Sequence, residues 1–201
     1  HKGKVVKYFD NPKRAKTRIK RAKYLNGNAP EVKLINEHMY SYDFIDGQLL
    51  SDITNEKVLN KFLDFCQNIL YNQNDDKFIL IDWREGFGNN IEVGDVYYDL
   101  SKLYHALLIN GNSVLKGMYD YKINSDSASV NFYAKSNLIY LMDFFENWCN
   151  ENEYDWYSVK LLGILHYLNI CSLYDNFQDG KYGKFLFLYG KYLLTKHLNN
   201  A

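Results

Sequence analysis

Residues 78–82, FILID, drive four apolar side chains straight into a carboxylate. A strand that ends on an aspartate presents an oxygen ligand, and a hard divalent cation selects such ligands. Asn68 opens the run NILYN fourteen residues before Asp82. That order, with a short hairpin between, brings both side chains to one metal. Lys7, in the strand-like VVK, adds an ammonium suited to phosphates. Phosphoryl transfer needs little covalent chemistry from a protein: a lysine on the phosphates, and magnesium held by an Asp and an Asn. Each residue also has an ordinary reading. Asp82 fits a cap or turn, Asn68 a helix or turn, and Lys7 the solvated face of a strand.

Two more residues stand close by. Arg84 either grips an anionic substrate or phosphate bidentately or pairs with Glu85 or Asp95. His105 follows on a helix, either as a satisfied helix histidine or as a catalytic one.

Periodicity outlines the elements that position these groups. KVVKYF, residues 4–9, reads as a strand. DNPKRAKTRIKRAKYLNG follows as a helix with Asp10 or Asn11 at its N-cap, Pro12 in its first turn and Gly27 after its end. Ala15, Ile19, Ala22 and Leu25 give it one narrow apolar stripe, and its other faces are basic. EVKLIN and MYSYDFIDG predict two more strands, ending at Gly47. From residue 55, Val58, Leu59, Phe62, Leu63 and Cys66 recur at helical spacing. A strand KFILID, a polar loop over 84–96, and a helix capped by Asp99 come next. YDYKINSDSASVNFY alternates about a polar turn, as a hairpin does. Three helices near 134–150, 155–174 and 182–198 complete the chain, and the middle one is apolar nearly all round. The fold class expected is α+β: a small strand-rich unit at 1–47 and a mainly helical lobe at 48–201.

The 201 residues are 47% apolar and 24% charged, which suits a soluble globule with a substantial core. The 19 Tyr and 12 Phe reflect a coding bias toward such residues rather than a function. Net charge is zero but uneven: residues 1–25 hold ten Lys or Arg against the single Asp10. That basic end reads either as a solvated helix or as a surface for phosphate-bearing ligands. No aromatic or glycine interleaving accompanies the charges, so no nucleic-acid partner is expected. Cys66, Cys149 and Cys171 form no C-x-x-C, and as buried free thiols they suit a reducing cytoplasm. No apolar run approaches the roughly 20 residues of a membrane span, and no secretory leader is visible.

Residues 68–108, with I-D-x-R-x-x-F-G followed by G-D-x-x-Y-D-L-x-K-L, resemble the C-terminal lobe of the aminoglycoside/choline kinase-like phosphotransferases. The branch most similar is the one associated with capsular and surface polysaccharide biosynthesis. KVVKYF, the basic helix and YSYDFIDGQLLSDI also fit that branch, so the resemblance covers nearly the whole chain. It implies a two-lobed protein-kinase-like fold with a truncated N-lobe, and ATP- or GTP-dependent phosphorylation of a small-molecule alcohol. It further implies Asn68 and Asp82 as Mg²⁺ ligands and Lys7 on the phosphates. Phe44, Ile45 and Asp46 become the adenine-facing hinge. Asp95 and Asp99 brace the catalytic loop or bind substrate, with the acceptor beside Asp95, Asp99 and His105.

The departures are specific. The family carries a His-Gly-Asp shortly before its metal-binding Asn, and this chain has none. Asp64 lies one residue short of the family spacing, inside a helical stripe. The glycine-bearing first hairpin of the upper lobe is absent, and no glutamate on the basic helix can pair with Lys7. About a hundred residues of an ordinary member are missing between Gln67 and Asn68, so these two are expected not to be neighbours in the natural protein. The alternatives are a non-catalytic pseudokinase, or a kinase-like module fused to a nucleotidyltransferase.

Overall fold

The computed structural model describes residues 3–25, 27–49, 55–63, 69–72, 77–80, 86–88, 90–134 and 136–199. The fold is α+β, with small antiparallel sheets and a larger set of helices. Two compact units divide the chain: residues 1–53 with 60–96, and residues 54–59 with 97–201.

In the first unit, β1 (Lys4–Tyr8) pairs antiparallel with β3 (Met39–Asp43), which pairs antiparallel with β2 (Lys33–Asn36). Helix α1 (Pro12–Ala22) starts where the sequence expects. Asn11 accepts the N–H of Lys13 at 3.0 Å, and Pro12 enters a first turn that has no use for its missing N–H. A 3₁₀ turn over Lys23–Leu25 ends it, and Gly27 takes the left-handed φ of +77° that returns the chain. The apolar stripe lies on the sheet: Ala15 is fully buried, and Ile19, Ala22 and Leu25 pack against buried Tyr40 and Tyr42. Ala15 has only a methyl, so the helix can approach these two rings closely.

Strand β3 stops at Asp43, short of the expected Gly47. Beyond it the N–H of Phe44 still bonds the Gly3 carbonyl at 3.0 Å. A second sheet runs β4 (Gln48–Leu49), β5 (Ile69–Asn72), β6 (Lys77–Leu80), all antiparallel. The N–H of Leu80 ties it to the loop after α1 through the Asn28 carbonyl at 2.6 Å. This unit therefore holds more than the 1–47 segment, since β5 and β6 group with the first sheet's residues. The unit boundary passes through α2 (Glu56–Leu63), whose Val58, Leu59, Phe62 and Leu63 are all buried, as their spacing predicts.

The second unit is helical. It comprises α3 (Val96–Leu108), α4 (Gly111–Leu115), α5 (Ser136–Glu151), α6 (Trp156–Ile170) and α7 (Lys181–Asn199), with the hairpin β7 (Tyr119–Ile123) and β8 (Ala128–Phe132). Its core gathers Tyr119, Tyr167, Tyr182, Phe185 and Leu186, with Phe132 and Tyr189 packed against them. Helices α3 and α6 pack closely at Gly163, where an added Cβ would stand 2.3 Å from a Tyr104 ring carbon. Helix α6 is not buried all round: Trp156, Val159, Gly163, Ile164 and Tyr167 are inside, but Tyr157 and Leu165 are exposed.

Candidate functional site

The expected phosphate lysine can be placed. On β1, Val5 and Lys7 face the helix side and are half-buried, while Val6 and Tyr8 face outward. Lys7 stands opposite Tyr40, whose ring is fully buried, so its stem runs along apolar surface. Among the described residues, Lys7 has no carboxylate within ion-pair distance. Helix α1 carries no acidic residue, so it cannot supply one. A half-buried ammonium with no counter-charge among the described residues suits an anion.

Asn68, Asp82 and Arg84 lie outside the described residues, as do Asp64, Cys66 and the Gln67–Asn68 junction. Strands β5 and β6, which separate Asn68 from Asp82 in sequence, form the expected antiparallel hairpin, with Ile69 opposite Leu80. Asn68 precedes Ile69 by one residue and Asp82 follows Leu80 by two.

Downstream, Phe87 and Asn90 face each other across a tight turn. Phe87 and Asn90 exchange backbone hydrogen bonds of 2.8 and 3.1 Å, and the Asn90 side chain accepts the N–H groups of Glu92 and Val93. Gly88 supplies a φ of +60°. Gly94 lies against Phe87, where a Cβ would come within 2.5 Å of a ring carbon. That ring also meets Arg21, whose guanidinium carbon is 5.7 Å from the centroid. Phe87 is a positioning residue for the loop that sequence reading missed. Its signal was the flanking glycine pair, which marks a close backbone approach.

Asp95 immediately precedes α3, and Asp99 lies within its first turn rather than at its cap. The helix starts three residues earlier, at Val96. Tyr97 accepts the Asp155 N–H at 3.0 Å, and Tyr98 packs edge-on against His166. Both carboxylates suit the helix N-terminus electrostatically. Of the proposed hinge residues, Phe44 commits its N–H to Gly3 and exposes half its side chain. Ile45 is half-buried and Asp46 exposed.

Of its two readings, His105 takes the packed one. Its ring lies 4.2 Å from that of Tyr167, its carbonyl accepts the Tyr167 hydroxyl at 2.7 Å, and its Nε2 is shut off from solvent. Burial, helped by Lys102 and His166, pushes its pKa down to about 3. It stays neutral at physiological pH and cannot serve there as a cationic substrate ligand. Acid stability should reveal this. The unfolded histidine takes up its proton near pH 6.5, whereas the folded one resists down to about 3. Its stabilising effect is therefore complete above pH 6.5 and lost as pH falls below it, at about 1.4 kcal/mol per pH unit. Urea unfolding at pH 7, 6 and 5 should show this slope, and His105→Phe should flatten it. An unchanged slope in the variant would refute the assignment.

A second constellation escaped the sequence reading. Ser101 Oγ lies 2.9 Å from His166 Nε2, the spacing of a nucleophile and its base. However, Ser101 donates its one hydroxyl proton to the Tyr98 carbonyl at 2.8 Å. His166 Nε2 must then carry the proton of the shared bond. Ser101 is also fully buried. The pair is a core hydrogen bond.

Cys149 and Cys171 are free thiols. Cys149 is buried, and burial followed by Glu146 pushes it up to about 12. Cys171 is half-buried rather than buried, with its S–H on the Leu168 carbonyl. Among the described residues no helix is long and apolar enough to cross a membrane, and no group of three or more His, Cys, Asp or Glu could hold a metal. The chain matches no protein-family model, no curated protein and no solved structure.

Proposed function

We propose that this chain is a nucleotide-dependent phosphotransferase of kinase-like, two-lobed design, moving the γ-phosphoryl of ATP or GTP to a small-molecule hydroxyl. The proposed setting is the cytoplasmic synthesis of surface-polysaccharide precursors. The observation that carries the reading is the β5–β6 hairpin, bracketed in sequence by Asn68 and Asp82. An antiparallel hairpin is what allows an Asn before it and an Asp after it to share one cation. The half-buried Lys7, with no carboxylate beside it among the described residues, supports the phosphate role.

In this reading Asn68 and Asp82 would hold Mg²⁺, which when bound supplies charge neutralisation to the phosphates. Lys7 would orient a phosphate, Ile45 and Asp46 would face the base, and Arg84, Asp95 and Asp99 would hold the acceptor. One observation favours a second reading. The chain has no His-Gly-Asp to position the acceptor hydroxyl, as a nucleotide-binding module without transfer would lack it.

Titration with a fluorescent ATP analogue, with and without Mg²⁺, tests the first part. Removing one charged hydrogen-bonding partner costs roughly 1.5–3 kcal/mol, so Lys7→Met should bind ten- to a hundred-fold more weakly. No binding by the wild type, or equal metal-independent binding by both, would refute the nucleotide site. Release of labelled γ-phosphate to a panel of small alcohols and sugars then separates the two readings: binding with transfer is a kinase, and binding without it is the module.

A further inference from the structure

The basic charges of α1 sort into two rows. Arg14, Arg18 and Arg21, at spacings of four and three, turn toward aromatic rings. Arg14 and Arg18 lie 5.9 and 5.2 Å from the Phe9 centroid, and Arg21 lies over Phe87. Lys13, Lys16, Lys20 and Lys23, at spacings of three, four and three, line a different face, and all four are exposed. At 1.5 Å per residue they form a row about 15 Å long. No ion pair engages any of the four among the described residues. Tyr24, 43% exposed, falls four residues after Lys20, on the same face at the helix's end.

We propose that this lysine row, with Tyr24, is a docking surface for an anionic lipid bilayer, on which α1 lies along its length. A straight, convex row of point charges meets a plane of anionic headgroups without any groove. A tyrosine beside it matches the amphipathic rings found at headgroup level. Nucleic acid is disfavoured by the same geometry. Base readout and phosphate clamping rely on arginine forks and stacked aromatics, and here the arginines face Phe9 and Phe87. Because net charge is zero, the attraction comes from this row and not from the molecule as a whole. It should weaken steeply as salt shortens the screening length.

The test is cosedimentation of the full chain with vesicles of phosphatidylcholine alone and of phosphatidylcholine mixed with phosphatidylglycerol. Each lysine near an anionic surface changes partitioning about five-fold. Changing Lys13, Lys16, Lys20 and Lys23 together to Gln should therefore lower binding to the anionic vesicles several hundred-fold. The same four changed to Arg should retain it, which keeps the result interpretable if the Gln variant fails to fold. Gln at Lys122, Lys184, Lys191 and Lys196, exposed lysines of the helical unit, should change little. The proposal is overturned if the wild type shows no preference for anionic vesicles, or if both Gln sets lose binding equally. It is also overturned if labelled RNA or DNA oligonucleotides bind the row more tightly than the vesicles do.

Discussion

Asp82→Asn is expected to slow phosphoryl transfer by about a hundred- to a thousand-fold, the usual cost of losing one fixed electrostatic contact to a developing charge. It should also remove the Mg²⁺ dependence of nucleotide binding. The physical reason is the donor set. A carboxylate offers a full negative charge to a hard cation, whereas an amide of the same shape offers only a carbonyl dipole. The substitution is nearly isosteric and leaves Leu80, two residues earlier, anchored to the Asn28 carbonyl. Folding should therefore survive, and a thermal melt within a few degrees of wild type would confirm that. Turnover and Mg²⁺ dependence both unchanged in the variant would remove Asp82 from the metal site, and with it the strongest chemical reason for a kinase. A loss of turnover with Mg²⁺-dependent binding intact would instead make Asp82 an acceptor-side residue.

The largest stability effect should come from Phe185→Ala, at about 3–5 kcal/mol. Phe185 is fully buried in α7, at the point where three elements meet. It stacks on Tyr189 at 5.5 Å and 12°, lies 4.8 Å from Tyr119 of β7, and lies 6.0 Å from Phe132 of β8. Truncation would leave a cavity walled by rings, which cannot collapse into it without breaking their own contacts. Phe187, two residues on, is 47% exposed with Lys191 over its ring. Phe187→Ala should cost within about 1 kcal/mol. Urea denaturation of the two variants is the comparison, and similar losses in both would mean that the aromatic cluster does not hold the hairpin to α7.

Several elements were legible because their signals are local. The cap at Asn11, Pro12 in the first turn and the 3.6-residue stripe of α1 concern neighbours along one helix, so they survive whatever packs outside. The hairpin over residues 119–132 was readable for the same reason, alternation about a polar turn. Helix α4 was not. It has five residues, too few to show a period, and it forms because buried Asn110 accepts the N–H groups of Asn112 and Ser113.

The candidate site divides along the same line. Composition and order by themselves determined a basic first helix, an Asn and an Asp separated by a hairpin, and a lysine on the first strand. They also determined the absence of His-Gly-Asp, because these are facts of type and spacing. Only tertiary packing decided which of those groups remain available. Phe9 and Phe87 come from opposite sides in sequence to engage the arginines, while Lys13, Lys16, Lys20 and Lys23 stay exposed on another face. Tyr167, sixty-two residues away, closes over His105 and keeps it neutral. A histidine's charge depends on the water it loses, and that loss is imposed by residues distant in the chain, beyond the reach of any local pattern.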